Sequence, residues 1–137
     1  MKAKTPPSPK KKILIADDEM DIRKLARVFL TEMLGIPCEC IEAANGGEAI
    51  KMALQKKPDL ILLDVMMPVM DGFEACRRLK EDPETSAIPV IFLTGTGDEA
   101  AIEKGLDLGG EAYVVKPFHA ITLVAQVKEI LSRAADH

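Results

Sequence analysis

The sequence predicts a doubly wound α/β domain: a five-stranded parallel sheet with helices on both faces. Three observations carry this. Short apolar runs alternate five times with helix-length segments of 3.6-residue periodicity. The runs are too short for helices and most are continuously apolar, as strands covered on both faces are. Helix-length connections also leave neighbouring strands parallel, through right-handed crossovers.

In order, Ile13-Leu14-Ile15-Ala16 reads as the first strand. Ile22, Leu25, Ala26, Phe29 and Met33 then recur at helical spacing, and Gly35 ends that helix. Cys38 to Ala43 alternates more than the other strands, which suits a sheet edge. Asn45 with Glu48 is a capping-box pair opening a helix with Ile50, Ala53 and Leu54, closed before Pro58. Leu60 to Asp64 is the central strand. Phe73, Cys76 and Leu79 mark the third helix, which ends near Pro83, and Pro89 to Thr94 is the fourth strand. Thr96 with Glu99 offers a second capping box, ahead of Ile102, Leu106 and Gly109. Tyr113-Val114-Val115 is the last strand, and Leu123, Val124, Val127, Ile130 and Leu131 stripe the last helix. These apolar stripes are expected to be core.

With 137 residues the chain has the length of one domain, and 47% apolar with 29% charged residues reads as globular. A net charge of −4 gives no bulk basic field for nucleic acid, so no direct nucleic-acid binding is expected. No apolar run reaches the ~18 residues of a membrane span. Cys38, Cys40 and Cys76 are an odd set, which fits a reducing compartment, hence the cytoplasm, better than a disulfide framework. No second Cys or His pair completes a zinc site. Residues 1–11, rich in lysine and proline, are expected to be a disordered leader, and 12–137 the folded domain.

In an open parallel sheet the chemistry sits at the carboxyl ends of the strands. The first strand ends in Asp17-Asp18-Glu19, the third in Asp64, the fourth in Thr94 and the fifth in Lys116-Pro117. Three aspartates on one rim repel one another unless a cation joins them. Hard oxygen ligands with room for water favour Mg²⁺. A carboxylate nucleophile beside such a metal suits phosphoryl transfer, with Lys116 as a compact positive charge and Thr94 as a hydroxyl donor.

These motifs resemble the receiver domain of two-component response regulators, of which the chemotaxis single-domain regulator is the simplest form. The resemblance spans about Lys12 to Arg133. It rests on Asp17-Asp18, on Asp64 followed by Met67-Pro68 and Asp71-Gly72, on Thr94, and on Lys116-Pro117-Phe118. It implies a flavodoxin-like sheet in the order 2-1-3-4-5 with five helices. It makes Asp64 the phosphoacceptor, with Asp18 and Asp64 binding Mg²⁺ directly, Asp17 through water, and the Met66 carbonyl as a further ligand. Thr94 becomes the switch hydroxyl, Tyr113 its aromatic partner and Lys116 the phosphate-pairing lysine, with a cis Lys116–Pro117 bond. Implied partners are a sensor histidine kinase or histidine phosphotransfer protein, a downstream target or output domain, and a second copy in a phosphorylation-dependent homodimer. Membrane association is not among them. Met66, two residues after Asp64, and His119, at a capping position, depart mildly from the family pattern.

Rival readings are weaker. Gly95-Thr96-Gly97-Asp98-Glu99-Ala100 formally matches a dinucleotide fingerprint, but it follows the fourth strand, and Asp98 and Glu99 would face the pyrophosphate. An aspartate-nucleophile phosphatase would be expected to carry a second acid where Met66 stands. A phosphorylation-independent interaction module on the same fold should lack the acceptor, the acidic pair or the lysine. No output domain is evident after the last helix, which leaves a stand-alone regulator and the receiver of a longer protein both open.

Overall fold

A computed structural model of the chain describes residues 10–95 and 97–135. Five parallel strands, β1 (Lys11–Ala16), β2 (Cys38–Ala43), β3 (Leu60–Asp64), β4 (Val90–Thr94) and β5 (Ala112–Val115), line up as β2-β1-β3-β4-β5. The helices between and after them are α1 (Met20–Met33), α2 (Gly46–Lys56), α3 (Gly72–Glu81), α4 (Glu99–Asp107) and α5 (Ala120–Ala135). This is the expected flavodoxin-like order, with β2 at an edge. β1 begins at Lys11, one residue ahead of the expected boundary, and most of the expected leader lies outside the described residues.

Successive strand side chains point to opposite faces, so each central strand feeds two cores. Ile13, Ile15, Leu60, Leu62, Ile91 and Leu93 pack with Ala26 and Leu30 of α1 and with Leu123, Val127 and Ile130 of α5. Leu14, Ala16, Ile61, Leu63, Val90 and Phe92 pack with Ala49 and Ala53 of α2 and with Ala75, Cys76 and Leu79 of α3. Burial on both sides explains why these strands read as unbroken apolar runs.

Two helix stripes differ from the sequence reading. In α1, Leu25 and Met33 are exposed, and the buried residues are Ala26 and Leu30. Leu25 lies about 100° around the helix from Ala26, and Met33 closes the last turn, where Leu34 turns inward instead. In α4, Leu106 is exposed and Gly105 is the buried residue, pressed on Phe92 so closely that a Cβ would stand 2.9 Å from its ring. With so little buried side chain, α4 is lightly anchored.

The α2 cap forms at Asn45 as expected, with Asn45 Oδ1 accepting the Glu48 N–H at 2.8 Å, but Glu48 Oε1 accepts the N–H of Ala44, at 2.8 Å, rather than that of Asn45. For α4 the cap is Asp98, which accepts the Ala100 N–H at 3.2 Å, rather than the expected Thr96, which lies outside the described residues.

Candidate functional site

Strand register assembles the site. Ala16 pairs with Leu63, so Asp17 and Asp64 follow as neighbours at the ends of β1 and β3. Asp64 pairs with Leu93 and Thr94 with Val115, which brings Thr94 and then Lys116 to the same rim. The Asp17 N–H donates to Ala43 O at 3.0 Å and the Lys116 N–H to Thr94 O at 2.7 Å, extending the ladders one residue past the strands. The Lys116–Pro117 peptide is cis, as expected.

Asp17, Asp64 and Thr94 are buried, whereas Asp18 and Met66 stand exposed at the mouth. Lys116 Nζ sits between the two buried carboxylates, 2.7 Å from Asp17 Oδ2 and 3.3 Å from Asp64 Oδ1, with Glu19 Oε2 at 3.9 Å. Carboxylate oxygens of Asp17, Asp18 and Asp64 approach within 4.8 Å of one another. The Met66 N–H donates to Asp64 Oδ1 at 3.2 Å, and the Glu19 N–H to Asp17 Oδ1 at 2.9 Å. Asp17 Oδ2 is buried and lacks an aligned hydrogen-bond donor, so its contact with Lys116 is an ion pair. A hard cation fits this oxygen-rich, under-satisfied pocket.

Burial, and then the charge of Asp17, push the Asp64 carboxyl up to about 6, while Lys116 and the Met66 N–H pull the other way. Burial lowers the affinity of Lys116 for its proton, but the pairing with Asp17 and Asp64 outweighs it and leaves the ammonium above its usual range.

Glycine packing fixes the loop after Asp64. A Cβ on Gly72 would lie 2.2 Å from the Asp64 carbonyl oxygen, so only glycine lets α3 start this close to Asp64. Asp71 Oδ1 caps α3 through the Glu74 N–H at 2.8 Å. Tyr113 on β5 is 40% exposed, and between it and Thr94 lies a void of only about 10 Å³, walled by Phe92, Ile102 and Leu106. An open groove of about 480 Å³ runs over α4, β5 and α5, past Leu106, Tyr113, Val115 and Gln126.

One residue escaped the sequence reading. Arg23, in the first turn of α1, donates to the Asp17 backbone carbonyl at 2.7 Å and to Glu42 Oε1 at 2.9 Å, bracing the acidic corner from behind. Its spacing from Asp17 matches no motif, so only the fold could show it.

A doubly wound α/β domain with an acidic pocket and a lysine at its strand ends defines the class. The response regulator receiver domain model matches residues 13–128, and the chain belongs to that family. The phosphate regulon transcriptional regulatory protein PhoB of Pseudomonas aeruginosa is 47% identical over 123 residues, covering 90% of this chain and 52% of that protein. The transcriptional regulatory protein ResD of Bacillus subtilis is 46% identical over 125 residues, 90% of this chain and 49% of that protein. The chain thus spans about half the length of the curated relatives it matches. The structure of Vibrio cholerae chemotaxis protein CheY4 superposes with a TM-score of 0.82 at 30% identity, covering 89% of this chain and 99% of that one. The chain is a receiver domain of a two-component response regulator. Among the described residues no helix is long and apolar enough to cross a membrane.

Proposed function

We propose that this domain accepts a phosphoryl group on Asp64 from a histidine kinase or histidine phosphotransfer protein, and that the phosphoryl group switches the face made by α4, β5 and α5. The observation that carries the reading is the placement of Lys116 Nζ between the buried carboxylates of Asp17 and Asp64. Asp17, Asp18, Asp64 and the Met66 carbonyl would hold Mg²⁺, which would neutralise charge on the phosphoryl oxygens.

In the transfer, an Asp64 carboxylate oxygen bonds to phosphorus as the phosphorus–nitrogen bond of the phosphohistidine breaks. The bonding pair leaves with the imidazole, and the product is an acyl phosphate. The Met66 N–H orients the Asp64 carboxylate, and Lys116 pairs with the new phosphoryl oxygens. Water later cleaves the acyl phosphate to inorganic phosphate. Reduced cysteines and a nucleotide-fuelled donor fit a cytoplasmic location. A domain kept only as a phosphorylation-independent module would have no need of this acceptor, acidic pair and lysine together.

The switch follows from charge and space. A phosphoryl group on Asp64 draws the Thr94 hydroxyl toward it, and Tyr113 turns inward. The space that Thr94 vacates adjoins a void of about 10 Å³ walled by Phe92, Ile102 and Leu106, and Tyr113 turns into it. Reversing a 1:99 population needs roughly 5.5 kcal/mol, and two charge-assisted hydrogen bonds at ~1.5–3 kcal/mol each supply most of it. Downstream, the groove along α4, β5 and α5 is where a target, an output domain or a second copy would read the state.

The test is amide spectra with acetyl phosphate and Mg²⁺. Wild type should shift at Tyr113 and along α4, Asp64→Asn should stay silent, and Thr94→Ala should take phosphate without the Tyr113 shift. Equal responses of wild type and Thr94→Ala at Tyr113 would remove Thr94 from the switch.

A further inference from the structure

Asp17 is held at both of its backbone polar groups, by different means. Its N–H extends the sheet ladder onto Ala43 O at 3.0 Å. β2 ends at Ala43, so the Asp17 carbonyl gains no strand partner, and the Arg23 guanidinium takes it instead, with Nη1 2.7 Å away. The same guanidinium donates through Nε to Glu42 Oε1 at 2.9 Å, and Glu42 Oε2 accepts from Arg27 Nη2. Burial works against the Glu42 charge, but the bonds from Arg23 and Arg27 outweigh it and hold that carboxyl below its usual range.

A peptide group is planar and turns as one unit, so the bond to the Asp17 carbonyl also orients the amide that leads into Asp18. The other hold on this turn is local: the Glu19 N–H donates to Asp17 Oδ1 at 2.9 Å, and Glu19, at the cap position of α1, makes no side-chain capping bond. Arg23 is therefore the side chain that ties the turn to the edge strand, through Glu42. At 15% exposure it is mostly shielded from water.

We propose that Arg23 is a positioning residue for the divalent cation: it holds the Asp17–Asp18 peptide in place beneath the acidic pocket and thereby raises Mg²⁺ affinity. The proposal rests on the metal reading above, in which Asp17, Asp18 and Asp64 are the acidic ligands. Its sign is opposite to what charge alone dictates. A guanidinium beside a cation pocket repels the cation, so as a bare charge Arg23 would weaken Mg²⁺ binding. As a planar fork it fixes two acceptors at once, Asp17 O and Glu42 Oε1, and the compact ammonium of a lysine lacks that geometry. Groups that orient metal ligands from behind typically carry about 10–100-fold in metal affinity.

The experiment titrates Mg²⁺ into metal-free protein and follows the amide signals of Asp18, Glu19 and Met66 by NMR, with melting in EDTA measured for each variant. Arg23→Lys keeps the charge and loses the fork, and Arg23→Met loses both. Arg27→Met removes the neighbouring arginine, which bonds Glu42 and not Asp17. Arg23→Lys and Arg23→Met should each raise the Mg²⁺ Kd about tenfold. Arg27→Met should stay within about twofold of wild type. A wild-type Kd in Arg23→Lys would overturn the proposal and leave Arg23 as a charge alone. So would a lower Kd in Arg23→Met, the signature of relieved repulsion, or a loss in Arg27→Met equal to that in Arg23→Lys. An Arg23→Lys chain that is unfolded in EDTA would overturn it too, since the guanidinium would then hold the fold rather than the site. If only Arg23→Met fails to fold, Arg23→Lys decides. Absence of any Mg²⁺-dependent shift in wild type would strike the metal reading itself, and the proposal with it.

Discussion

Lys116 Nζ lies nearer to Asp17 Oδ2, at 2.7 Å, than to Asp64 Oδ1, at 3.3 Å. Without a phosphoryl group, then, the lysine is held first by the deeper carboxylate. Asp64 keeps the weaker share of that charge, which helps explain why its affinity for a proton stays high.

That relationship gives a pH-dependent stability. Asp64 titrates near 6 in the folded domain against an ordinary value near 3.8, so between these values the folded state binds more protons than the unfolded one. Stability therefore falls as pH rises through this window, and the penalty is complete above it. About two units at 1.36 kcal/mol each gives a cost on the order of 3 kcal/mol at pH 8, an upper bound because Lys116 also loses a partner in the variant. Asp64→Asn, in metal-free buffer, should exceed wild type in stability by roughly 1–3 kcal/mol at pH 8, with the gain gone by about pH 4. Urea titrations across that range check it. Equal stabilities at pH 8 would show that Asp64 is not held under strain.

Metal should relieve the same strain. If Asp17, Asp18 and Asp64 hold Mg²⁺ as proposed, millimolar metal favours the folded arrangement, so the melting temperature of wild type should rise with its concentration. Asp18→Asn should blunt the rise while leaving the metal-free melting temperature nearly unchanged, because Asp18 is exposed. Calorimetric scans with Mg²⁺ or EDTA decide it.

Gly72→Ala tests the close approach of α3. Its Cβ would meet the Asp64 carbonyl oxygen at 2.2 Å, so the helix or the acceptor strand must move. Overpacking of this kind costs about 1–3 kcal/mol. Denaturant midpoints should fall accordingly, and acetyl phosphate labelling should slow with them, since the displaced backbone carries the proposed acceptor, Asp64.

Much of this was legible in the chain itself. The unbroken apolar runs of β1, β3 and β4 reported burial on both faces, and parallel pairing then put Asp17, Asp64, Thr94 and Lys116 on one rim. What stayed hidden depended on three dimensions. Leu25 and Met33 obey helical spacing yet stay exposed, because periodicity does not say where a neighbouring element ends. Arg23 reaches Asp17 across the first turn of α1 with no motif to mark it. Val69 takes a φ of +69°, and a valine gives no local hint of a left-handed turn.

The central claim is that Asp64 is the phosphoacceptor, and mass spectrometry tests it most directly. The chain is incubated with acetyl phosphate and Mg²⁺, weighed intact, then trapped as a reduced acyl adduct and mapped by peptide. The account predicts a gain of one phosphoryl group that maps to Asp64, disappears in EDTA and is absent from Asp64→Asn. An unmodified wild type, or a phosphoryl group that persists in Asp64→Asn, would contradict it.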